Sequence, residues 1–277
     1  MLVYKQWDVF CRRLKEKGLI SVSASTALSS EPGKQFIILK HDVETNPLKA
    51  LRLAQIENKH SMRGSYYVQG YLLNNSKNIE ILKLIQELGH EISYHHDVMD
   101  SNKGNIYKAA EEFQRNIEIF DNNGFPVKTV CQHGNPLIER IGYSSNRDFF
   151  RNKFIAQQYK HITEIMLNFK SRIGEQYLYI SDAGYGWKII FDPENNDVVK
   201  CNVKDVTFKT LDKVVEVVEN GTSVIVSTHP HRWHGNVLAA KVKNATFKSV
   251  MTVIKSISKI PFMKNFISKF YYLAKKI

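Results

Sequence analysis

The chain has 277 residues, 43% apolar and 11% aromatic, enough for one large domain with a sizeable core. Its three cysteines, Cys11, Cys131 and Cys201, are odd in number, far apart and without a CxxC pair, which argues against a disulfide framework or a thiolate zinc site and fits a reducing, cytoplasmic setting. Of the formal charge of +12, nine lysines fall between Ala240 and Ile277, where there is no Asp or Glu; the remaining chain carries only +3, so no basic nucleic-acid groove is expected.

Residues 4–17 read as an opening helix, with Trp7, Phe10, Cys11 and Leu14 on one face and Gly18 suited to its C-terminal cap. Lys5, Asp8, Arg12, Arg13, Lys15, Glu16 and Lys17 leave no apolar leader in this stretch, so no signal peptide is expected. Residues 36–40 read as the first core strand. A helix follows over 47–60, with Pro47 in its first turn. Strand 64–69 and a helix through Ile79, Leu82, Ile85 and Leu88, closed by Gly89, come next. Residues 91–94 form a short strand. Ile106, Ala110, Phe113, Ile117 and Phe120 keep three-four spacing, which predicts a helix. Strand 127–132 precedes an irregular stretch, 137–175, of loops and short helices. Strand 177–181, a helix through Leu211, Val214, Val215 and Val218, and a buried strand 223–227 complete the core. Strand and helix alternate, so a mostly parallel sheet follows. Neither GxGxxG after the first strand nor GxxxxGK[ST] occurs, which favours a closed barrel over an open dinucleotide-binding sheet.

Four of these strands end in ionisable residues: Lys40-His41-Asp42-Val43-Glu44, Gly89-His90-Glu91-Ile92-Ser93-Tyr94-His95-His96-Asp97, Cys131-Gln132-His133-Gly134-Asn135-Pro136 and Ser227-Thr228-His229-Pro230-His231-Arg232-Trp233-His234. Parallel strands closed into a barrel bring such ends to one mouth. Asp42 can bind a divalent metal or take a proton; its bland alternative is a helix cap or an ion pair. Glu44 is either a ligand or first-turn charge for the next helix. Period-two geometry sends His95 and His96 to opposite faces if their strand continues. His133 is either a ligand or a loop histidine. His229 follows a very apolar strand, where a ring is natural at a rim and able to act as an acid. Asp182, at the end of another strand, can orient such a histidine. Tyr185 and Trp187 offer flat faces for a sugar ring, and His231 and Trp233 belong to the same rim.

Together these segments resemble the polysaccharide deacetylase family, the NodB-like carbohydrate esterases of family 4, over roughly residues 36–234. The resemblance implies a distorted (β/α) barrel holding a divalent metal, usually zinc, by one aspartate and two histidines. Residues 1–35 are then a helical lead-in, 36–236 the barrel and 237–277 a tail. His41-Asp42-Val43-Glu44 is similar to the first motif, Gly89 to His95 to the stretch before the first metal histidine, and Ser227 to Pro230 to the motif of the general acid. Gln132 to Pro136 and Ser181 to Trp187 are similar to the motifs of the pocket wall. Three departures stand out. Met99 occupies the position of the second metal histidine. His41-Asp42 replaces an acidic pair. His133 stands where the family often has arginine. The resemblance implies a metal set of Asp42, His95 and His133, with Glu44, His96 and Asp97 as alternatives. It implies Asp42 or His41 as base, His229 as acid and Asp182 as the group holding that acid. Trp187, Tyr185, His231 and Trp233 are the expected substrate contacts.

The implied reaction is removal of an N-acetyl or other N-acyl group from an amino sugar. An inactive glycan- or partner-binding barrel and a deformylase of a lipid-linked amino sugar are the competing readings. From residue 246 to 277, Phe, Ile, Leu and Val recur at helical spacing, broken at Pro261, with lysines on the other faces. Such a basic amphipathic tail reads as peripheral docking on an anionic membrane surface, with packing on the barrel as the alternative. A substrate assembled at the inner face of a membrane, such as a lipid- or nucleotide-linked precursor of a surface polysaccharide, would suit that placement.

Overall fold

The computed structural model describes residues 2–31, 33–135, 138–183, 186–198, 206–208, 210–243, 245–246 and 249. Helix α1 (Tyr4–Glu16) buries Trp7, Phe10, Cys11 and Leu14 as one stripe. Gly18 follows it at φ +70°, a conformation glycine reaches without steric cost. The one-turn helix α2 (Ala24–Leu28) is capped by the Ser23 hydroxyl, which accepts from Thr26 N. Strand β1 (Ile37–Val43) is buried at all seven positions. In α3 (Pro47–Lys59) the Asn46 side chain caps and Pro47 supplies the first helical residue. Strand β2 (Gly64–Val68), α4 (Ser76–Glu87), β3 (Glu91–His96), the short α5 (Val98–Ser101), α6 (Ile106–Asn122) and β4 (Thr129–Gln132) continue the alternation. The irregular middle holds α7 (Asp148–Arg151), α8 (Lys153–Gln158), β5 (Thr163–Glu164) and α9 (Phe169–Ile173). Strands β6 (Tyr177–Ser181), β7 (Trp187–Ile190) and β8 (Thr207–Phe208) precede α10 (Asp212–Glu219) and β9 (Ser223–Thr228).

The nine strands form one sheet in the order β5-β4-β3-β2-β1-β9-β6-β7-β8. From β5 to β6 every pairing is parallel; β6, β7 and β8 form an antiparallel edge. Among the described residues no ladder joins β5 to β8, so the wall is open on that side. It is nevertheless curled. Ile38 of β1, Tyr67 of β2, Cys131 of β4, Tyr179 of β6 and Ile225 of β9 meet in one apolar cluster, with Ala24 and Ala27 of α2 and Phe169 of α9. Side chains from strands so far apart in order touch only if the sheet wraps around them. The architecture is a distorted (β/α) barrel. Two outer layers cover it. Helices α3, α4 and α6 pack on β2, β3 and β4, while α1 and α10 pack on β1, β6 and β9.

Two strands run further than the sequence pattern predicts. β1 continues through His41, Asp42 and Val43, and β3 through His95 and His96. These residues are therefore in the ladder, where alternation decides which way each side chain points. Ile37, Leu39 and Val43 belong to the outer clusters, whereas Ile38 lies inside. Lys40, Asp42 and Glu44 consequently share the interior with Ile38, and His41 does not. The short α2, β5, β7 and β8 carry too few residues for a periodic signal. The tail from residue 250 onward lies outside the described residues, and so does the membrane-docking expectation made for it. No described helix is long and apolar enough to cross a membrane.

Candidate active site and metal centre

Two groups of side chains gather at the C-terminal mouth of the barrel. In the first, Glu44 Oε1 lies 3.3 Å from His133 Nε2 and 3.8 Å from His95 Nε2. Glu44 comes from the residue after β1, His95 from β3 and His133 from the residue after β4, three parallel strands whose ends must converge. All three are buried, and their ligand atoms lie within 4.8 Å of one another. The His95 ring is set by its other nitrogen. Nδ1 is 3.0 Å from the carbonyl of Cys131, which only accepts, so Nδ1 carries the proton and Nε2 the lone pair. That Nε2 is buried and has no hydrogen-bond partner. A buried lone pair beside a carboxylate and a second imidazole suits a cation, and two histidines with one carboxylate is a donor set that catalytic zinc takes.

The second group surrounds Asp42. Its Oδ1 accepts from Lys40 Nζ at 2.5 Å, and its Oδ2 is 3.8 Å from His229 Nε2. Lys40 is 1% exposed, also reaches Ser227 Oγ at 3.3 Å, and lies over the rings of Tyr67 and Tyr179. Burial alone would raise the Asp42 carboxyl. The charge of Lys40, helped by His95 and His229, outweighs it and holds the group down to about 2. Asp42 also falls in a set with His95 and Cys131, whose thiol burial pushes well up.

His229 is held by Asp182. Nδ1 donates to Asp182 Oδ1 at 2.6 Å, and the His229 backbone N–H donates to Oδ2 at 3.0 Å. Arg232 Nη1 approaches the same carboxylate at 3.3 Å. Asp182 is fully buried, which raises its pKa, but the charge and hydrogen bond of His229, with Arg232, bring it below the ordinary value. The ring is thereby turned so that Nε2 faces Asp42. His231, one residue beyond Pro230, stands with Nδ1 at 3.9 Å from Glu44 Oε2. Tyr71, 40% exposed at the rim, donates its hydroxyl to the Glu44 carbonyl.

Several expected residues stand elsewhere. His41 points out of the barrel: it is 0% exposed, stacked on Tyr66, with Nδ1 at 2.7 Å from Thr228 Oγ1 and Nε2 at 2.8 Å from Glu57 Oε1. It belongs to the outer core and is no candidate for base. His96, also outward, is enclosed by Tyr94, Phe113, Phe149 and Phe150, and burial holds it neutral with a pKa of about 3. It cannot reach Glu44 from the far side of the sheet. Asp97 stands at the N-cap position of α5, without a capping bond from its side chain and outside both ligand groups. Asp42 shares a ligand group with His95 but not with His133; Glu44 is the carboxylate between the two histidines. Trp187 and Trp233 are 5% and 1% exposed and pack on Trp7 in the outer layer, beside a groove of about 400 Å³ that none of the mouth residues lines. Neither presents a face to a sugar at the mouth. Tyr185 lies outside the described residues. The features sequence reasoning missed are Lys40 and Tyr71. Lys40 had a signal, since Lys40, Asp42 and Glu44 share one face of a strand at period two. Tyr71 follows β2 in a short turn and had none.

No family profile matches the chain, and no curated protein does. Solved structures do. A family 4 carbohydrate esterase from Streptomyces lividans aligns at 13% identity and TM-score 0.40, over 76% of this chain and 85% of that one. A CE4 esterase from Streptococcus mutans aligns at 13% identity and TM-score 0.45, over 87% and 90%. A CE4 family pseudoenzyme from Bacillus anthracis aligns at 13% identity and TM-score 0.39, over 72% and 70%. The chain resembles CE4 structures at low sequence identity. Enzymes and a pseudoenzyme both occur among them, and at these values the likeness assigns no residue a role.

Proposed function

We propose that the protein is a metal-dependent hydrolase that removes an N-acyl group, N-acetyl in the leading reading, from an amino sugar of a polysaccharide or of its lipid- or nucleotide-linked precursor. The reading is carried by one observation: the Glu44, His95 and His133 donor set lies beside Asp42, whose Oδ2 is 3.8 Å from Nε2 of an Asp182-held His229. Glu44, His95 and His133 would hold the cation, zinc by donor chemistry. Bound there, a divalent cation polarises a carbonyl and lowers the pKa of water.

The chain's own residues then divide the proton work. Asp42, kept ionised by Lys40, accepts a proton from the attacking water. The water oxygen bonds to the acyl carbon and the C–N bond breaks. His229, with Nδ1 held by Asp182, delivers a proton from Nε2 to the departing amine nitrogen, which is too basic to leave as an anion. Asp42 Oδ2 and His229 Nε2 lie 3.8 Å apart, so both address neighbouring atoms of one bound acyl group from the same side. The products are a free carboxylate and a free amine.

The test is release of carboxylate from N-acetylated oligosaccharides by zinc-loaded protein, with acetate and formate assayed separately. Acetate release that is lost in Glu44→Gln supports the proposal. Formate alone assigns a deformylase. One bound zinc without turnover on any N-acyl sugar overturns the enzyme in favour of a binding barrel.

A further inference from the structure

We infer that Asn146, with Asp100 beneath it, positions His133 as a metal ligand, taking over the placement that a histidine at Met99 would otherwise have supplied. This rests on the donor set proposed above. Met99 sits on α5, 4% exposed and packed among the apolar residues of the outer layer, so α5 offers no ligand at that position. Its neighbour Asp100 does something else. The Asp100 carboxylate accepts from Arg140 Nε at 2.8 Å and Nη2 at 2.7 Å, from the Tyr143 hydroxyl at 3.1 Å and from Asn146 Nδ2 at 2.9 Å. One aspartate on α5 thus gathers three residues of the loop that follows β4.

Asn146 closes the connection. It is 0% exposed. Its Oδ1 accepts from Asp100 N at 2.9 Å, and its Nδ2 donates to Asp100 Oδ2 and to the carbonyl of His133 at 2.8 Å. The N–H of His133 in turn donates to the His96 carbonyl at 2.7 Å. Both peptide groups flanking His133 are fixed, one to β3 and one through Asn146 to α5. His133 lies past the last residue of β4, where the ladder no longer holds the backbone. The Asn146 bond fixes the carbonyl side of this residue, as the His96 carbonyl fixes its N–H side. Outer contacts that orient a ligand commonly change metal affinity about ten- to a hundredfold when removed.

The experiment is zinc titration of the full chain against a chromophoric chelator, on wild type, His133→Ala, Asn146→Ala and the double variant, with circular dichroism and the melting point of each metal-free protein. Asn146→Ala is expected to weaken zinc about ten- to a hundredfold, and the cobalt-loaded variant to lose intensity in its visible bands. The double variant is expected to bind no more weakly than His133→Ala alone, because the asparagine acts through that ligand. A merely structural role would lower the metal-free melting point and add its loss to that of His133→Ala. If Asn146→Ala does not fold, Arg140→Gln, which loosens the same aspartate from the loop side, is expected to weaken zinc in the same direction. Wild-type zinc affinity in a folded Asn146→Ala or Arg140→Gln, or additive losses in the double variant, overturns the inference alone. Wild-type affinity in His133→Ala overturns the donor set and the inference with it.

Discussion

At the scale of single residues the mouth separates holding a cation from moving protons. Glu44 and Asp42 are two residues apart, yet their partners differ: the imidazoles of His95, His133 and His231 for Glu44, a buried lysine and His229 for Asp42. Their amide variants should part company. Glu44→Gln is expected to lose zinc, whereas Asp42→Asn retains it and loses turnover; dialysis and elemental analysis beside a carboxylate-release assay read both. Removal of an acid from such a site typically costs about 10²- to 10⁴-fold. His229→Ala is therefore expected to lose that much at unchanged zinc content, and Asp182→Asn to lose part of it, because Asn keeps only one oxygen to hold the ring and backbone N–H that both Asp182 oxygens now accept from. Undiminished turnover in His229→Ala would remove it as the acid. These pairs were partly legible in the sequence. His95, His133, Asp42, His229 and Asp182 all stand where an apolar run stops. Which carboxylate meets the histidines was not, because Asp42 and Glu44 fall on the same face at period two and only how far each lies along β1 toward the mouth separates them.

At the scale of elements, the outward histidines show why motif membership and orientation are separate matters. His41 lies between β1, β2 and α3, where the Glu57 carboxylate also receives Trp7 Nε1 and Tyr66 OH, each at 2.8 Å. Gly64 makes room for this: a Cβ there would come 2.8 Å from Leu39 O and 3.0 Å from Glu57 Oε2. Burial pushes the Glu57 pKa up, but His41, by charge and hydrogen bond, brings it below its ordinary 4.5. A carboxylate with a lowered folded pKa binds protons more readily in the unfolded chain, so its stabilisation is present above pH 4.5 and is lost as pH falls through the lowered value. Glu57→Gln should cost about 1–3 kcal/mol near neutrality, as leaving buried hydrogen-bonding groups without their partner does. It should also flatten the acid side of the stability curve; urea unfolding at pH values from 4.5 downward checks this. An unchanged slope would show that Glu57 titrates alike in both states. The long helices α1, α3, α4 and α6 were readable from three-four spacing because each buries one stripe. The two-residue strands β5 and β8 were not, since pairing with a neighbour, not their own pattern, defines them.

At the scale of the whole molecule, the parallel order of β1 to β5 and β9 brings ligands from positions 44, 95 and 133 together although they are far apart in the chain. A cation bound only by the folded chain stabilises it by mass action, about 2.7 kcal/mol at a hundred times its dissociation constant. For a domain of this size each kcal/mol moves the melting point by about 2–4 °C. Zinc should therefore raise the melting temperature by about 5–10 °C, chelator should reverse it, and Glu44→Gln should abolish it; an equal shift in that variant would place the zinc elsewhere. The most direct measurement is a crystal structure of zinc-soaked protein with anomalous data at the zinc edge. One strong peak is expected about 2.0–2.2 Å from Glu44, His95 Nε2 and His133 Nε2. A peak among Asp42, His95 and Cys131, or no peak at the mouth, would contradict that donor set.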